Sequence, residues 1–448
     1  MTALRGPSSK NRGRASILLL GFCLLFLIIG ILRTQISEFN ITSDKLSKLN
    51  NKGKISLTGT ISAEPDVRDT YQKLKVDIDG SALLVTTSKY PEYKYLDKIK
   101  VTGKLETSGE TEDGAPSGSY KKYLMKDGIY SVMNFPEVEL LPQEHKYNVF
   151  SFLYEKILFF KQGLRESIRH NFLPPQSFIL EGTILGDNGV MSNDLKNKLN
   201  ITGLRHVIAV SGTHVVILSS IIMSLLLAMG FWRGQAFYIA IIFICFYIIL
   251  TGLSASGVRA GIMGGLYLLA QKLGRQSSGL RVLAMACAVM LFINPLLLLY
   301  DVGFQLSFLA VMGLIYLEPF LKKIMKISII STTFAAQIFT LPIMVYNFGN
   351  ISFVSPITNL LVLPVVYWLM IFGFLSSLLG AVSQFLGWIF FIPCWFLLTY
   401  FIKIIDFFSQ PWALKTIKNV HWIWLFVSYL LIGFSVRFLN KKYSQPQY

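Results

Sequence analysis

Residues 204–217 read L-R-H-V-I-A-V-S-G-T-H-V-V-I, an apolar run that carries an arginine, two histidines, a serine and a threonine. Ionisable groups at membrane depth are costly, so they usually face the interior of a helix bundle or a wet cavity. On one continuous helix, His206, Ser211, Thr213 and His214 fall within less than half of the circumference. The stretch therefore predicts a membrane-spanning helix with one polar side, as in a helix that lines a cavity.

The composition of the whole chain also indicates a membrane protein. The 448 residues are 53% hydrophobic and 15% charged. Apolar runs of roughly 20 residues, the length that a bilayer core requires, recur along the chain, which excludes an ordinary soluble enzyme. The formal charge is +17, and residues 148–448 contain 21 basic and eight acidic residues. Because the positive-inside rule accounts for such an excess, charge alone does not indicate nucleic-acid binding.

The first 147 residues predict an anchor followed by a β domain. Four basic residues precede the apolar run Ala15–Leu32 and no good cleavage site follows it, so residues 1–33 are expected to form a cytoplasmic tail and an uncleaved anchor. From about residue 54 to 141 the apolar period changes to two, with turn signals such as Asp79-Gly80. Residues 34–147 therefore predict a small extracytoplasmic OB-like β-barrel. Its tyrosines suit base stacking but its charges balance, so both a scaffold and a DNA-binding role stay open.

The remaining residues predict a helical membrane domain. Residues 148–203 predict amphipathic helices that lie either in the membrane interface or against the β domain. Residues 204–437 contain nine apolar runs, which with the anchor predict about ten transmembrane helices, and residues 438–448 are expected to be a cytoplasmic tail. The nine runs lie near 205–230, 235–252, 256–272, 280–299, 302–320, 327–346, 355–378, 384–405 and 421–437. Apart from Lys403, Lys415 and Lys418, the basic clusters between these runs fall on the predicted cytoplasmic side.

Polar residues inside these runs are the candidate functional residues. Arg259 lies about one turn inside a predicted helix, and two interpretations are open: a structural ion pair with Asp301, or a cation that faces a lumen and contacts phosphates. Asp301 is also a candidate helix cap. Any single Asn or Gln can equally be a hydrogen-bonding residue between helices. The candidate lumen-lining residues are Arg205, His206, Ser211, His214, Ser254, Ser256, Arg259, Gln305, Asn347 and Asn359.

The order of these polar elements resembles that of the ComEC family of bacterial competence proteins. No element is decisive alone, but together they are specific and cover nearly all of residues 180–370. The matching elements are, in chain order, Leu185-Gly186-Asp187, His206 with Ser211-Gly212-Thr213-His214, Ser256 to Arg259, Asp301-Val302-Gly303-Phe304-Gln305-Leu306-Ser307-Phe308, Leu341-Pro342 with Phe348-Gly349, and Asn359-Leu360-Leu361 with Pro364. Thr213 is a departure, because the family often has a larger apolar residue there.

The resemblance implies a channel in the bacterial cytoplasmic (inner) membrane that passes single-stranded DNA into the cytoplasm during natural transformation. It also implies partners: a DNA receptor and pilus-like uptake machinery outside, and a helicase-like motor and single-strand-binding proteins inside. Longer family members carry a metallo-β-lactamase-like domain, whose H-x-H-x-D-H signature is absent from this sequence. Degradation of the strand that is not imported is therefore expected to come from a separate nuclease.

Two alternative functions involve the same polar residues. Ser211 and His214 are three residues apart and, with Asp301, would form the nucleophile, base and orienting acid of an intramembrane hydrolase. A small-solute transporter is the other alternative. No G-x-x-x-x-G-K-[ST] phosphate loop occurs. His206 and His214 would lie about 12 Å apart on an unbroken helix, too far for a shared metal unless the helix breaks at Gly212. We therefore expect no catalytic residue, no metal and no cofactor.

Overall fold

The computed structural model describes most of the chain. The described ranges are 30–39, 41, 43–107, 117–142, 148–187, 189–274, 278–325, 327–417 and 420–443. Most of the predicted anchor Ala15–Leu32 lies outside the described residues. Residues 30–39 are helical, and Nε and Nη2 of Arg33 donate to the carbonyl oxygens of Phe292 and Ile293, both at 3.0 Å. The segment after the anchor therefore contacts the membrane domain.

An eight-stranded sheet occupies the region where the period of two was predicted. Its strands are β1 (Lys54–Ile61), β2 (Asp66–Val67), β3 (Tyr71–Ile78), β4 (Ser81–Ser88), β5 (Lys98–Lys104), β6 (Glu106–Thr107), β7 (Ile129–Asn134) and β8 (Glu137–Leu140). The alternation is confirmed, because Leu74, Val76 and Ile78 of β3 and Ile99 and Val101 of β5 are buried. Successive side chains of a strand point to opposite faces, so one face of each strand forms the core.

The strands follow the order β6-β7-β4-β3-β1-β5-β8, with β2 paired to β3. The β4–β7 pair is parallel and the other pairs are antiparallel. In the described part of the chain, the end strands β6 and β8 are not paired with each other. The predicted closed OB-like barrel is therefore not confirmed, and this unit is called the β domain below.

Helix α1 (Ser117–Lys126) covers one face of the β domain. Its Leu124 packs with Val132 of β7 and Leu84 of β4 in a small cluster outside the main core. Nζ of Lys73 on β3 donates to the hydroxyl of Tyr120 at 3.1 Å. The β3–β4 side of the sheet is thus covered by the protein itself.

The membrane domain begins after the β domain and is almost entirely helical. Its helices are α2 (Val149–Asn171), α3 (Gln176–Leu185), α4 (Asn193–Thr202), α5 (Arg205–Ile208), α6 (Gly212–Ala228), α7 (Arg233–Leu250), α8 (Ala255–Lys272), α9 (Gly279–Ile293), α10 (Leu297–Tyr300), α11 (Val302–Tyr316), α12 (Glu318–Met325), α13 (Ser328–Phe348), α14 (Ser355–Val382), α15 (Gln384–Phe408) and α16 (Trp422–Tyr443). Two short strands, β9 (Asn350–Ser352) and β10 (Leu414–Thr416), pair antiparallel.

Six helices among the described residues are long and apolar enough to cross a membrane. They are α5 with α6 counted together, α7, α13, α14, α15 and α16. Helices α11 and α12 qualify only as a pair, which bends by 56°, and α8 and α9 are shorter apolar helices. Each of the nine predicted runs therefore coincides with an apolar helix or helix pair, whereas the predicted number of ten spans is not confirmed.

The amphipathic helix α2 contacts both parts of the molecule. Its Ile157, Leu164 and Ile168 are buried in the core of the membrane domain, whereas Phe150 and Phe159 on other faces are 80% and 78% exposed. The apolar side of the helix therefore packs on the membrane domain, whereas one of the two predicted positions was against the β domain. Its exposed aromatic side chains are of the kind that suit an interfacial helix, the other predicted position.

Two hydrophobic cores meet along α8. The larger core joins α2 to α7 with α14 and α15 and includes Ala260 of α8. The smaller core is formed by α9 and α11, and Val258 and Ile262 of α8 pack against it. Arg259 lies between Val258 and Ala260 in the chain, so its helix places it at the seam between the two cores.

Candidate functional site

The membrane span that contains residues 204–217 is interrupted, which differs from the predicted continuous helix. Helix α5 ends at Ile208, residue Ala209 is extended, and α6 starts at Gly212. Nδ1 of the buried His214 accepts a hydrogen bond from the main-chain N–H of Ser211 at 3.3 Å. The hydroxyls of Ser211 and Thr213 lie 2.6 Å apart. Ser211, Thr213 and His214 therefore form the start of α6, whereas Arg205 and His206 lie in α5.

Two further helices bring polar groups to this interruption. The hydroxyl of Ser256 on α8 donates to the carbonyl of Val210 at 2.7 Å, which compensates a carbonyl that an unbroken helix would have used. On the same helix, Nη1 of Arg259 donates to the carbonyl of Ser307 on α11 at 2.5 Å. We call Ser211, His214, Ser256 and Arg259 the break cluster.

The predicted ion pair between Arg259 and Asp301 is not present in the structure. Oδ2 of Asp301 instead binds Nζ of Lys126 on α1 at 2.5 Å, and Oδ1 accepts from the N–H of Phe304 at 2.9 Å. The alternative interpretation of Asp301 as the cap of its helix is therefore confirmed. Burial lowers the pKa of Lys126, but Tyr123, Asp127 and Asp301 outweigh it and raise that pKa above its ordinary value.

A second polar group lies where α14 begins. Nε2 of Gln337 and Nδ2 of Asn359 both donate to the hydroxyl of Ser355, at 2.6 and 3.2 Å. The hydroxyl of Thr358 donates to the carbonyl of Thr202 at 2.8 Å. We call Gln337, Ser355, Thr358 and Asn359 the α14 cluster. It ties α13 and α14 to the end of α4, as interhelical hydrogen bonds do.

A glycine makes this contact possible. Gly203 has a φ of +71°, and a Cβ there would lie 2.5 Å from the hydroxyl of Ser355. Positive φ and close approach both favour glycine. The α14 cluster therefore contacts the chain at Gly203, shortly before Arg205. The break cluster begins at Ser211, six residues after Arg205.

The other candidate lining residues are not gathered at either cluster. Nδ2 of Asn347 donates to the carbonyl of Ile343 in its own helix at 3.0 Å, and Nε2 of Gln305 donates to the carbonyl of Leu298 at 2.8 Å. The hydroxyl of Ser254 accepts from the N–H of Gly257 at 3.2 Å and caps α8.

Arg205 belongs to a group of cations at the edge of the membrane domain. Nη1 of Arg205 donates to Oδ1 of Asn200 on α4 at 3.3 Å. One turn earlier on α4, Nζ of Lys196 donates to the carbonyl of Gly189 at 3.3 Å. Burial and the neighbouring cations Arg68 and Arg205 lower the pKa of Lys196. We call Arg68, Lys196 and Arg205 the basic rim; it joins the β domain to α5, where His206 is exposed.

A partly buried group of charges, which the sequence did not predict, fixes the β domain to α2. Nζ of Lys161 lies 2.7 Å from both Glu64 and Asp187, and Nη2 of Arg165 lies 2.6 Å from the same two carboxylates. We call these four residues the junction cluster. Lys161 is only 3% exposed. A signal was present, because Lys161, Arg165 and Arg169 are spaced by four on one helix face and so call for acidic partners.

The charges of the junction cluster perturb one another. Burial by itself raises the pKa of Asp187, but Lys161 and Arg165 outweigh it and hold that pKa below its ordinary value. Burial lowers the pKa of Arg165, but Asp187 and Glu64 outweigh it and raise the pKa. Next to Asp187, Gly186 has a φ of +80°, and a Cβ there would lie 2.9 Å from the carbonyl of Thr251. The Leu-Gly-Asp turn therefore packs against the loop between α7 and α8.

The geometry of the hydrolase alternative is not assembled. The hydroxyl of Ser211 bonds Thr213, and the His214 nitrogen that is bonded accepts from the main chain of Ser211. Asp301, the required acid, binds Lys126. Within the described part of the chain, no group of three or more His, Cys, Asp or Glu side chains is placed to hold a metal ion.

These features define a multi-pass membrane protein with a β-sheet domain and with polar groups at an interrupted span. A family model described as Competence protein matches residues 183–442. The chain therefore belongs to the competence protein family. The matched residues include the Leu-Gly-Asp turn, the break cluster and the α14 cluster.

Two curated proteins are similar to this chain over part of their length. ComE operon protein 3 of Bacillus subtilis (strain 168) is 29% identical over 277 residues, which cover 59% of this chain and 33% of that protein. Uncharacterized protein YcaI of Escherichia coli (strain K12) is 26% identical over 216 residues, which cover 43% of this chain and 28% of that protein. The chain thus spans about a third of the length of these relatives. No solved structure gives a significant match to the chain.

Proposed function

We propose that this chain forms a membrane conduit through which single-stranded DNA enters the cytoplasm during natural transformation. The observation that carries the proposal is the break cluster of a competence-family protein. Irregular backbone at membrane depth is tolerated only where it is buried in protein or lines a water-filled cavity. The interruption at Ala209–Ser211 is bonded through the carbonyl of Val210 to α8, the helix along which the two hydrophobic cores meet. It adjoins both the polar first turn of α6 and the exposed His206. These properties fit a passage better than a packed contact.

The proposed direction of entry is from the side that carries the β domain. On this hypothesis the protein lies in the cytoplasmic membrane with its N-terminus in the cytoplasm and the β domain outside. The basic rim supports it, because Arg68 comes from the β domain while Lys196 and Arg205 precede the break cluster in the membrane domain. Cations attract a phosphate backbone and raise its local concentration. Arg68 also pairs with Asp66 at 3.2 Å, so Lys196 and Arg205 are the members of the rim that the proposal uses.

We infer that the β domain is an OB-like scaffold. Strands β5 and β6 follow each other across Leu105 and pair with β1 and β7, which lie at opposite ends of the remaining sheet. One bent strand in this position brings the two ends of an OB-like sheet together. Because α1 covers the β3–β4 side, where OB domains commonly bind oligonucleotides, a scaffold role is favoured over DNA reading.

The conduit is proposed to act without chemistry of its own. Movement of the strand would depend on partners: a DNA receptor and pilus-like machinery outside, and a helicase-like motor with single-strand-binding proteins inside. Many weak contacts along the route suit this role, because a deep binding site would trap the substrate.

The test is uptake of labelled DNA by a strain that lacks only this protein and carries plasmid-borne variants. We expect the null strain to transform at background frequency, and the wild-type gene to restore transformation and internalised label. His206→Ala and Arg259→Ala are expected to give a loss similar to the deletion, with normal amounts of protein in the membrane.

Arg437→Ala is the matched control, because Arg437 is an exposed arginine on the peripheral helix α16. It is expected to leave uptake at the wild-type level. Normal DNA uptake in the null strain would reject the proposed function, and normal uptake with both His206→Ala and Arg259→Ala would remove the break cluster from the route.

A further inference from the structure

Arg259 is a buried cation that pairs with no acidic side chain in the described part of the chain. The residue is 7% exposed. Its Nη1 donates to the carbonyl of Ser307, and its guanidinium carbon lies 5.7 Å from the centre of the Phe308 ring. Its Nε has no hydrogen-bond partner among the residues that the structure describes. Arginines inside membranes almost always pair with an acid or with backbone carbonyls, and Arg259 reaches a single carbonyl, so its charge is only partly compensated.

The guanidinium of Arg259 lies beside the N-terminus of α6. A Cβ added at Gly212, the first residue of the helix, would be 3.5 Å from Nη2 of Arg259 and 3.4 Å from Cβ of Ala260. The first turn of a helix leaves main-chain N–H groups without intrahelical partners, and the summed peptide dipoles place partial positive charge there. Helix α6 has 17 residues, so this end carries the full dipole effect.

The guanidinium and the N-terminal end of α6 therefore present positive charge to the same space, and no carboxylate among the described residues pairs with either. Ser211 and His214 form a capping box that occupies the N–H groups of these two residues. Helix N-termini bind anions through their free main-chain N–H groups, and a guanidinium binds phosphate oxygens in a planar, two-pronged geometry. The hydroxyls of Ser211 and Thr213 lie 2.6 Å apart and bond each other, so one of their two O–H groups remains as a further donor at this helix end. We propose that Arg259 and the N-terminus of α6 form a binding site for one phosphodiester group of the strand in transit; the identity of the strand rests on the proposed function.

The site is accessible and suited to weak binding. Thr213 is exposed and Ser211 and Gly212 are half-buried, so a phosphate can reach the helix end from the side on which His206 is exposed. Because Nη1 of Arg259 already donates to the carbonyl of Ser307, a phosphate would receive fewer hydrogen bonds from the guanidinium than in a closed pocket. A site of this strength would hold one phosphate and release it, as conduction requires.

The test measures binding of a fluorescent oligodeoxythymidylate to the purified full chain in detergent at several salt concentrations. For single strands, the logarithm of the binding constant falls with the logarithm of the salt concentration by about 0.7 per phosphate contact. We expect Arg259→Met to weaken binding about tenfold or more, as loss of a charged hydrogen bond does, and to reduce the slope by one contact. Arg259→Lys should keep the slope while binding more weakly, because lysine keeps the charge but not the planar geometry.

Several outcomes overturn the site. The site is rejected if Arg259→Met leaves the binding constant and the salt slope unchanged. It is also rejected if the control Arg437→Met weakens binding as much as Arg259→Met does. Circular dichroism and gel filtration check that each variant is folded. If Arg259→Met is not folded, the weaker binding expected for Arg259→Lys is the test of the site. Competition with dioctanoyl phosphatidylglycerol separates the two sources of a phosphodiester. A lipid that binds this site while the oligonucleotide does not would reject the strand as its ligand.

The same variants separate this site from the proposed function. If purified Arg259→Met loses one phosphate contact but its strain takes up DNA normally, the site stands and the conduit through it does not. If the strain fails to take up DNA while the purified variant binds the oligonucleotide like the wild type, the conduit stands and the phosphodiester site is rejected.

Discussion

At the junction cluster, Lys161 and Arg165 each reach two carboxylates, whereas Arg259 at the break cluster reaches none among the described residues. Burial does not explain the difference, because Lys161 is 3% exposed and Arg259 7%. Taking a charge out of water costs several kcal/mol unless it is paired. The junction cluster therefore uses its charges to hold two domains together, while Arg259 keeps a charge that the fold leaves partly uncompensated.

The largest effect is expected from Asp187→Ala. The substitution leaves Lys161 and Arg165 to share Glu64, and breaking a buried pair by removing one partner costs about 3–5 kcal/mol. The free energy of unfolding, from denaturant titration in detergent, should fall by this amount. Asp194→Ala is the control: its side chain is 76% exposed and pairs with Lys198, so we expect about 1 kcal/mol or less. Equal effects of the two substitutions would show that the junction charges are not what holds the domains.

A smaller loss is expected from Asp301→Asn, which tests whether Asp301 serves Lys126 or Arg259. The asparagine keeps an oxygen to cap α11 but loses the charged bond to Lys126, so stability should fall by about 1.5–3 kcal/mol. Asp301→Ala also loses the cap and should cost about 1 kcal/mol more.

A double-mutant cycle makes this assignment decisive. Residues in contact show coupling energies of about 0.5–3 kcal/mol, while separated residues are nearly additive. Asp301→Asn should couple to Lys126→Met and not to Arg259→Met. Coupling to Arg259 instead would restore the ion pair that the sequence predicts.

Much of the fold could be predicted from the sequence, because its determinants are local. Apolar runs of membrane length predicted the helices, the period of two in β3 and β5 predicted the buried strand faces, and Asp301 before a helical pattern predicted a cap. The pair of Asp301 with Lys126 could not be predicted in this way, because the two residues are 175 positions apart. Which of several acids meets a given lysine depends on how the domains dock.

The break in the α5–α6 span shows the limit for the candidate site. Nothing in the A-V-S-G segment at residues 209–212 forbids a continuous helix as proline would. The interruption is stabilised locally by the capping box of Ser211 and His214 and by a tertiary contact, the hydroxyl of Ser256 on the carbonyl of Val210. The sequence therefore predicted which residues are polar at membrane depth, but not that Ser211 begins a helix or that Arg259 faces its N-terminus.

For Arg259→Met we expect the free energy of unfolding to change in the opposite direction to that of Asp187→Ala in the junction cluster. Replacing a buried ion pair with apolar residues of similar volume is often neutral or stabilising, by about 1 kcal/mol at the low end. We expect the same for Arg259, whose charge has a carbonyl as its hydrogen-bond partner. The free energy of unfolding should therefore be unchanged or slightly higher, although DNA uptake is lost. Destabilisation as large as that of Asp187→Ala would mean that Arg259 is compensated in the fold and is not available to a ligand.

The smallest effect on stability is expected from a change of pH. Its direction follows from the lowered pKa of Asp187 in the junction cluster. The pKa of Asp187 is below its ordinary value in the folded protein, so its ion pairs stabilise the fold above the ordinary carboxyl pKa of about 3.9. That contribution is lost as the pH falls through the lower, folded-state pKa. The stability difference between wild type and Asp187→Asn should thus be constant from about pH 5 to 8 and shrink only below about pH 4. A difference that already shrinks between pH 5 and 8 would mean that the carboxylate is not held by Lys161 and Arg165.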